Sequence, residues 1–204
     1  MVWFSDMVTI VQKDAPVLRG IAEPVNPKDF DSPRLKKILT DMSAAMEKEE
    51  DGVAIAAPQI GVPLRIFIVS HRAFEIESEH ELPDGAIAPG TPATSHKKTN
   101  MKDMVFINPE IIKLSRKKTW VPEGCLSVRW LYGEVARADK ATVRAYDEQG
   151  KAFTWGGSGL LAQIFQHETD HLNGILFIDQ ARNVEKVTEE EMRHQRHEHG
   201  QSSH

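Results

Sequence analysis

The stretch SGLLAQIFQHETDHLNGILF, residues 158–177, decides how this chain is read. Ser158 is a suitable N-cap, and Gly174 suits the position just past a final helical turn. At about 100° per residue, Leu160, Ile164, His167 and His171 fall on one side of the intervening helix. Leu161, Phe165, Glu168 and Leu172 fall on the adjoining side. Ala162, Gln163, Gln166, Thr169 and Asp170 take the remaining arc. The spacing therefore predicts a helix that buries two imidazoles and a carboxylate among its leucines. Such groups are costly to bury without partners, and a metal ion supplies one. His167 and His171 stand one turn apart and can converge on a single ion, with Glu168 beside the first as general base. This is the mechanical content of H-E-x-x-H.

Two ligands do not complete a catalytic site, which normally has three protein ligands and one open position. A class that places a third histidine six residues after the second is excluded, because Phe177 stands there. A thermolysin-like metallopeptidase takes its third ligand from a glutamate further along, and Glu189, Glu190 and Glu191 are in range, although they form a charge run. The other candidate is Cys125, the single cysteine of 204 residues, in the stretch VPEGCLSVRW. Thiolate and imidazole both suit a borderline-soft divalent ion.

Outward from these stretches, Ser32-Pro33 opens a helical pattern in which Leu35, Ile38, Leu39, Met42 and Met46 recur at spacings of three and four. Acidic residues at 47–51 and Gly52 end it. Strand patterns fall at Arg65–Val69, Val105–Ile107, Ile111–Leu114, Thr119–Val121, Ala141–Tyr146 and Lys151–Trp155, the last two joined by a turn at 147–150. Residues 71–103 are polar, rich in Pro, Gly and Thr, without a sustained period, and read as a surface insertion. The expected fold is α+β, with mixed or antiparallel sheets packed around the C-terminal H-E-x-x-H helix and one N-terminal helix. The expected organisation is one catalytic domain over 1–183 and a flexible, charged, histidine-rich tail over 184–204.

The net charge of -5 and 40% apolar content describe a globular chain with no general attraction to DNA or anionic lipid. Apolar runs such as IFIV at 66–69 are too short to span a bilayer. One cysteine and an N-terminus without a basic leader place the expected compartment in the cytoplasm.

Three stretches in order, GVAIAAPQIG at 52–61, EGCLS at 123–127 and QHETDHLNG at 166–174, resemble the three motifs of the peptide deformylase family. The resemblance implies removal of the N-formyl group from the initiator methionine of nascent chains, met at the ribosome, with release of formate. It implies one divalent metal per chain, natively Fe(II), with Zn, Ni or Co as substitutes, held by Cys125, His167 and His171. Glu168 matches the family's catalytic glutamate. Gln59 and the Leu126 N–H match its donors to the carbonyl oxygen. Val53, Val121, Leu160 and Ile164 are expected to line the methionine pocket, and Gly52, Ala54 and Gly124 to border the substrate backbone. Glu123 is expected to pair with Arg137. The chain departs from the family pattern at Ala54, where a glycine is usual, at Arg129, where a proline is common, and at Tyr132, where some members carry arginine. A deformylase-like protein of altered activity is the reading those departures keep open, beside the thermolysin-like alternative.

Overall fold

The computed structural model describes residues 8–79 and 102–188. Helix α1, Pro33–Glu47, begins where Ser32 Oγ accepts from the Leu35 N–H at 3.1 Å. Its spacing of apolar residues buries Leu35, Met42, Ala45 and Met46. A short strand β1, Ala54–Ala56, leads into a 3-10 turn at Ala57–Ile60 that ends at Gly61, whose φ of 81° is left-handed. Strand β2, Ile66–Val69, is buried throughout. Helix α2, His71–Glu79, follows, so the stretch read as an insertion begins with a helix. Residues 80–101, the bulk of that stretch, lie outside the described residues.

Strand β3 runs unbroken over Met104–Leu114, where the sequence pattern shows two strands. The interruption is a register shift between Ile107 and Glu110 against its neighbour. Asn108 sits there at φ 50°, and its side-chain amide exchanges hydrogen bonds of 2.7 and 2.9 Å with both backbone groups of Val25. Strand β4, Lys118–Glu123, pairs with β5, Leu131–Ala138, and β6, Lys140–Tyr146, pairs with β7, Ala152–Ser158. Helix α3, Gly159–Leu172, precedes a last strand β8, Arg182–Lys186. This strand runs across the boundary expected at 183/184, so residues 184–186 belong to a sheet. Residues 189–204, the rest of the expected tail, are outside the description.

Every strand pair is antiparallel: β1-β2-β3-β6-β7 form one sheet and β4-β5-β8 the other. Helix α3 lies between them and buries more of its circumference than the apolar arc predicts. Phe165 stacks into a cluster with Phe67 and Phe106, whose rings lie 4.6 Å apart. On the opposite arc, Ala162 and Gln166 are buried too. Gln166 is polar because it closes the helix onto β5: its Oε1 accepts from the Ala138 N–H at 2.9 Å, and its Nε2 donates to the Ala138 carbonyl at 3.0 Å. The C-terminal turn ends at Asn173, followed by Gly174 at φ 74°.

Gln166→Leu leaves both Ala138 backbone groups buried and unpaired. It is expected to destabilise the fold by about 2 kcal/mol or more, measured by urea denaturation, with little change from Gln163→Leu on the partly exposed arc.

Candidate metal centre

The cysteine-bearing segment leaves β4 at Glu123 and enters a tight turn in which the Val128 N–H donates to the Cys125 carbonyl at 3.0 Å. That turn delivers the sulfur onto the face of α3. Cys125 Sγ lies 3.2 Å from His171 Nε2, and one ligand atom from each of Cys125, His167 and His171 falls within 4.8 Å of the other two. His167 Nδ1 is committed to Glu123 Oε2 at 2.9 Å, which leaves Nε2 as its donor toward the centre.

The residues fit a divalent ion on two grounds: the donor set is one sulfur and two imidazoles, and the three donor atoms converge from a turn and one helix face. Burial holds His171 well below its ordinary pKa. Burial also opposes protonation of His167, but its hydrogen bonds to Cys125 and Glu123 outweigh it and raise it well above the ordinary value.

Glu123 is 4% exposed. Its oxygens accept from Arg137 Nε at 2.7 Å and Nη2 at 3.0 Å, and Arg137 Nη1 donates to Asp170 at 2.6 Å. The expected Glu123–Arg137 pair is therefore present and buried, and it does more than brace a loop. It orients the imidazole of His167, and through Asp170 it grips α3 one turn further on. Burial works against ionising Glu123, but the hydrogen bonds from His167 and Arg137 outweigh it and hold the carboxyl at about 2. The role of Asp170 carries no signal in the sequence, because the residue falls outside the apolar arc of the helix.

Glu168 is buried, and its Oε2 has no hydrogen-bond partner among the described residues. Burial pushes this carboxyl up to about 7. Gln59, 2% exposed, sits in the 3-10 turn, where its Oε1 accepts from the Ala56 N–H at 2.7 Å. That bond fixes the amide so that Nε2 faces the centre, 3.6 Å from Cys125 Sγ. The hydrogen bond closing the turn at 125–128 does not use the Leu126 N–H.

Gln59, Glu123, Cys125, Leu126, His167 and Glu168 border one cleft of about 210 Å³, lined also by Val53, Ala54, Gly124, Leu160 and Ile164, with His171 outside the lining. Two expected lining residues are elsewhere. Val121 does not border the cleft, and neither does Gly52, whose missing side chain admits α1: a Cβ there would meet the Met46 carbonyl at 2.7 Å. Gly124 does border it, but what its hydrogen makes room for is the Tyr132 ring, 2.6 Å from where a Cβ would stand. Asp51, Pro122, Arg129, Tyr132 and Gln163 complete the lining. Arg129 bridges the walls, its Nη1 and Nη2 donating to Asp51 at 2.7 and 3.0 Å and its Nη2 also to Glu49.

Comparison with known proteins agrees with this geometry. The polypeptide deformylase family model matches residues 7–187. The peptide deformylase of Erythrobacter litoralis is 36% identical over 177 residues, covering 87% of this chain and 90% of the relative. Peptide deformylase 1A of Arabidopsis thaliana, chloroplastic/mitochondrial, is 38% identical across 85% of this chain and 61% of its own length. Among solved structures, the actinonin-bound class I type b peptide deformylase of Acinetobacter baumannii superposes with a TM-score of 0.69 at 32% identity, covering 87% of this chain and all of that one. The Met-Ala-Ser-bound form of the same enzyme gives 0.68 at 33% identity, covering 86% and all of that chain.

Arg137→Met strands the Glu123 carboxylate in the interior and is expected to cost about 3–5 kcal/mol. Arg129→Ala, which breaks partly exposed pairs, is expected to cost about 1 kcal/mol. Urea denaturation at neutral pH separates the two. Because the folded-state pKa of Glu123 is depressed, its contribution is complete above its ordinary value of 4.5 and is lost as pH falls toward about 2. Glu123→Gln should therefore flatten the acid limb of the stability curve over that window.

Proposed function

The chain belongs to the polypeptide deformylase family, and from that premise we propose that it hydrolyses the N-formyl group from the N-terminal methionine of nascent chains, releasing formate. The observation that carries this reading is the convergence of the Cys125, His167 and His171 donor atoms at a cleft that Cys125 and His167 line together with Glu168 and Gln59. Those three residues would hold one divalent ion, Fe(II) natively, with Zn, Ni or Co able to replace it. The ion, when bound, acidifies a coordinated water and polarises the formyl carbonyl.

The chain's own groups supply the rest. Glu168 accepts the proton from the attacking water and returns it to the departing amine. Its carboxyl, raised toward neutrality by burial, is suited to moving a proton both ways. The Gln59 amide and the Leu126 N–H donate to the oxygen on which negative charge develops. Gln59 is prepared for this because its own oxygen is already tied to Ala56. Leu160 and Ile164 on α3 and Val53 before β1 offer the apolar wall for the methionine side chain. The peptide beyond the methionine would leave between Tyr132 and the Arg129–Asp51 bridge. A thermolysin-like reading has less support, since Cys125 stands where a third ligand is needed; the glutamates at 189–191 lie outside the described residues. The cytoplasm is the proposed compartment, resting on the single cysteine. Among the described residues no helix is long and apolar enough to cross a membrane.

The test is anaerobic assay of formyl-Met-Ala-Ser with Fe(II)- or Ni(II)-loaded protein. Formate release is expected, abolished by a chelator and restored by adding the metal back. Cys125→Ser should lose the metal and the activity together, whereas Glu168→Ala should keep the metal and lose turnover. Gln59→Ala should lower the rate by about two to three orders of magnitude. Formate release undiminished in a metal-loaded Cys125→Ser protein would reject the ligand assignment.

A further inference from the structure

The N-terminal arm passes behind the cysteine turn, and no step of the chemistry uses it. Two of its residues nonetheless touch the elements that surround the sulfur. The Val11 N–H donates to the Gln59 carbonyl at 2.9 Å. Gln12 Nε2 donates to the Leu126 carbonyl at 3.1 Å, and Gln12 Oε1 accepts from the Arg129 N–H at 3.4 Å. The second bond settles which end of the Gln12 amide is which, so the donor end faces Leu126.

The Leu126 carbonyl and the Ser127 N–H belong to one peptide unit, which is planar. That N–H donates to Cys125 Sγ at 3.4 Å. A single amide plane is thus held at its oxygen by Gln12 and at its hydrogen by the sulfur. The continuous path runs from Gln12 N–H to the Leu126 carbonyl, through the amide, to the Ser127 N–H and Cys125 Sγ. Hydrogen bonding at the oxygen of an amide strengthens donation from its nitrogen. A second donor to the same sulfur, Gln59 Nε2 at 3.6 Å, sits on the turn that Val11 fastens. Groups that hydrogen-bond a ligand atom orient it and tune the ion it holds.

We propose that Gln12 is a positioning residue for the metal centre: it holds the 126–127 amide so that the Ser127 N–H is aimed at the Cys125 sulfur. The proposal rests on the reading of Cys125 as a ligand. The chemistry sets the sign of its consequence. An N–H donor lowers the energy of the sulfur lone pair, so a sulfur-to-metal charge-transfer transition needs more energy when the bond is made. Loosening the bond shifts that transition to longer wavelength.

The experiment loads the full chain with Co(II) and records the thiolate charge-transfer band in the near ultraviolet. Cys125→Ser identifies the band by losing it. Gln12→Met fills the same space without polar atoms. Gln12→Glu keeps an acceptor for the Arg129 N–H and removes the donor to Leu126. The Gln12 side chain lies at an exposed position, so both variants are expected to keep the thermal midpoint of the metal-free wild type. Both should move the band to longer wavelength, and loss of cobalt from either variant at an unchanged midpoint supports the same conclusion. A band at the wild-type position in either variant overturns the proposal. A wild-type protein that binds Co(II) without any thiolate band overturns the ligand reading and this proposal together.

Discussion

The Glu123 carboxylate holds this structure together at the point where its chemistry lies. It leaves the end of β4, two residues before Cys125, and meets Arg137 from β5 and His167 from α3. An ionised carboxylate with 4% of its surface exposed is tolerable only where donors surround it, and here three N–H groups do. Because those donors come from separate elements, satisfying one charge fixes the sheet β4-β5-β8 against α3. The same bonds set which nitrogen of His167 remains for a ligand role. Fold and site are therefore one problem at this residue: a substitution that spoils the pair both strands a charge and releases an imidazole.

The larger sheet solves the complementary part. It packs its aromatic face on α3 through Phe67, Phe106 and Phe165, and its first strand leads directly into the 3-10 turn with Gln59. The cleft opens between the segment following α1 and the cysteine turn, with α3 as its floor. Arg129 spans these two walls at Asp51 and Glu49. It thereby limits how far they separate while leaving its pairs partly in water, where they contribute little to stability.

Much of this was legible from residue patterns, for identifiable reasons. The helix at 159–172 announces itself by period, N-cap and terminal glycine, and the histidines share its apolar arc. The Glu123–Arg137 pair could be named from the family resemblance, but its burial and its hold on His167 and Asp170 could not. A charge pair looks the same in sequence whether exposed or enclosed. A helical wheel leaves Gln166 and Ala162 on the remaining arc because it assumes one buried side, whereas two sheets cover this helix. Strand β5 shows no strand pattern because its inward positions include Gly133 and Arg137 rather than a run of β-branched residues, and β8 shows none because all five of its residues are exposed. Strand β3 looked like two because Asn108 and Pro109 interrupt its pattern at the register shift. Gly52 and Gly124 resemble each other as motif glycines, yet one admits a helix end and the other an aromatic ring.

Arg129 gains a second meaning from the arm behind it. The family's common residue at this position, proline, has no backbone N–H. Here that N–H exists and donates to Gln12 Oε1, which turns the other end of the Gln12 amide toward Leu126. With proline the glutamine oxygen would lose this partner, and nothing in the turn would select its orientation. Its side chain meanwhile closes on Asp51. One residue thus fastens the cysteine turn in two directions, by its backbone to the N-terminal arm and by its guanidinium across the cleft. The departure at 129 leaves the Cys-His-His set untouched and changes how the turn that presents the sulfur is held.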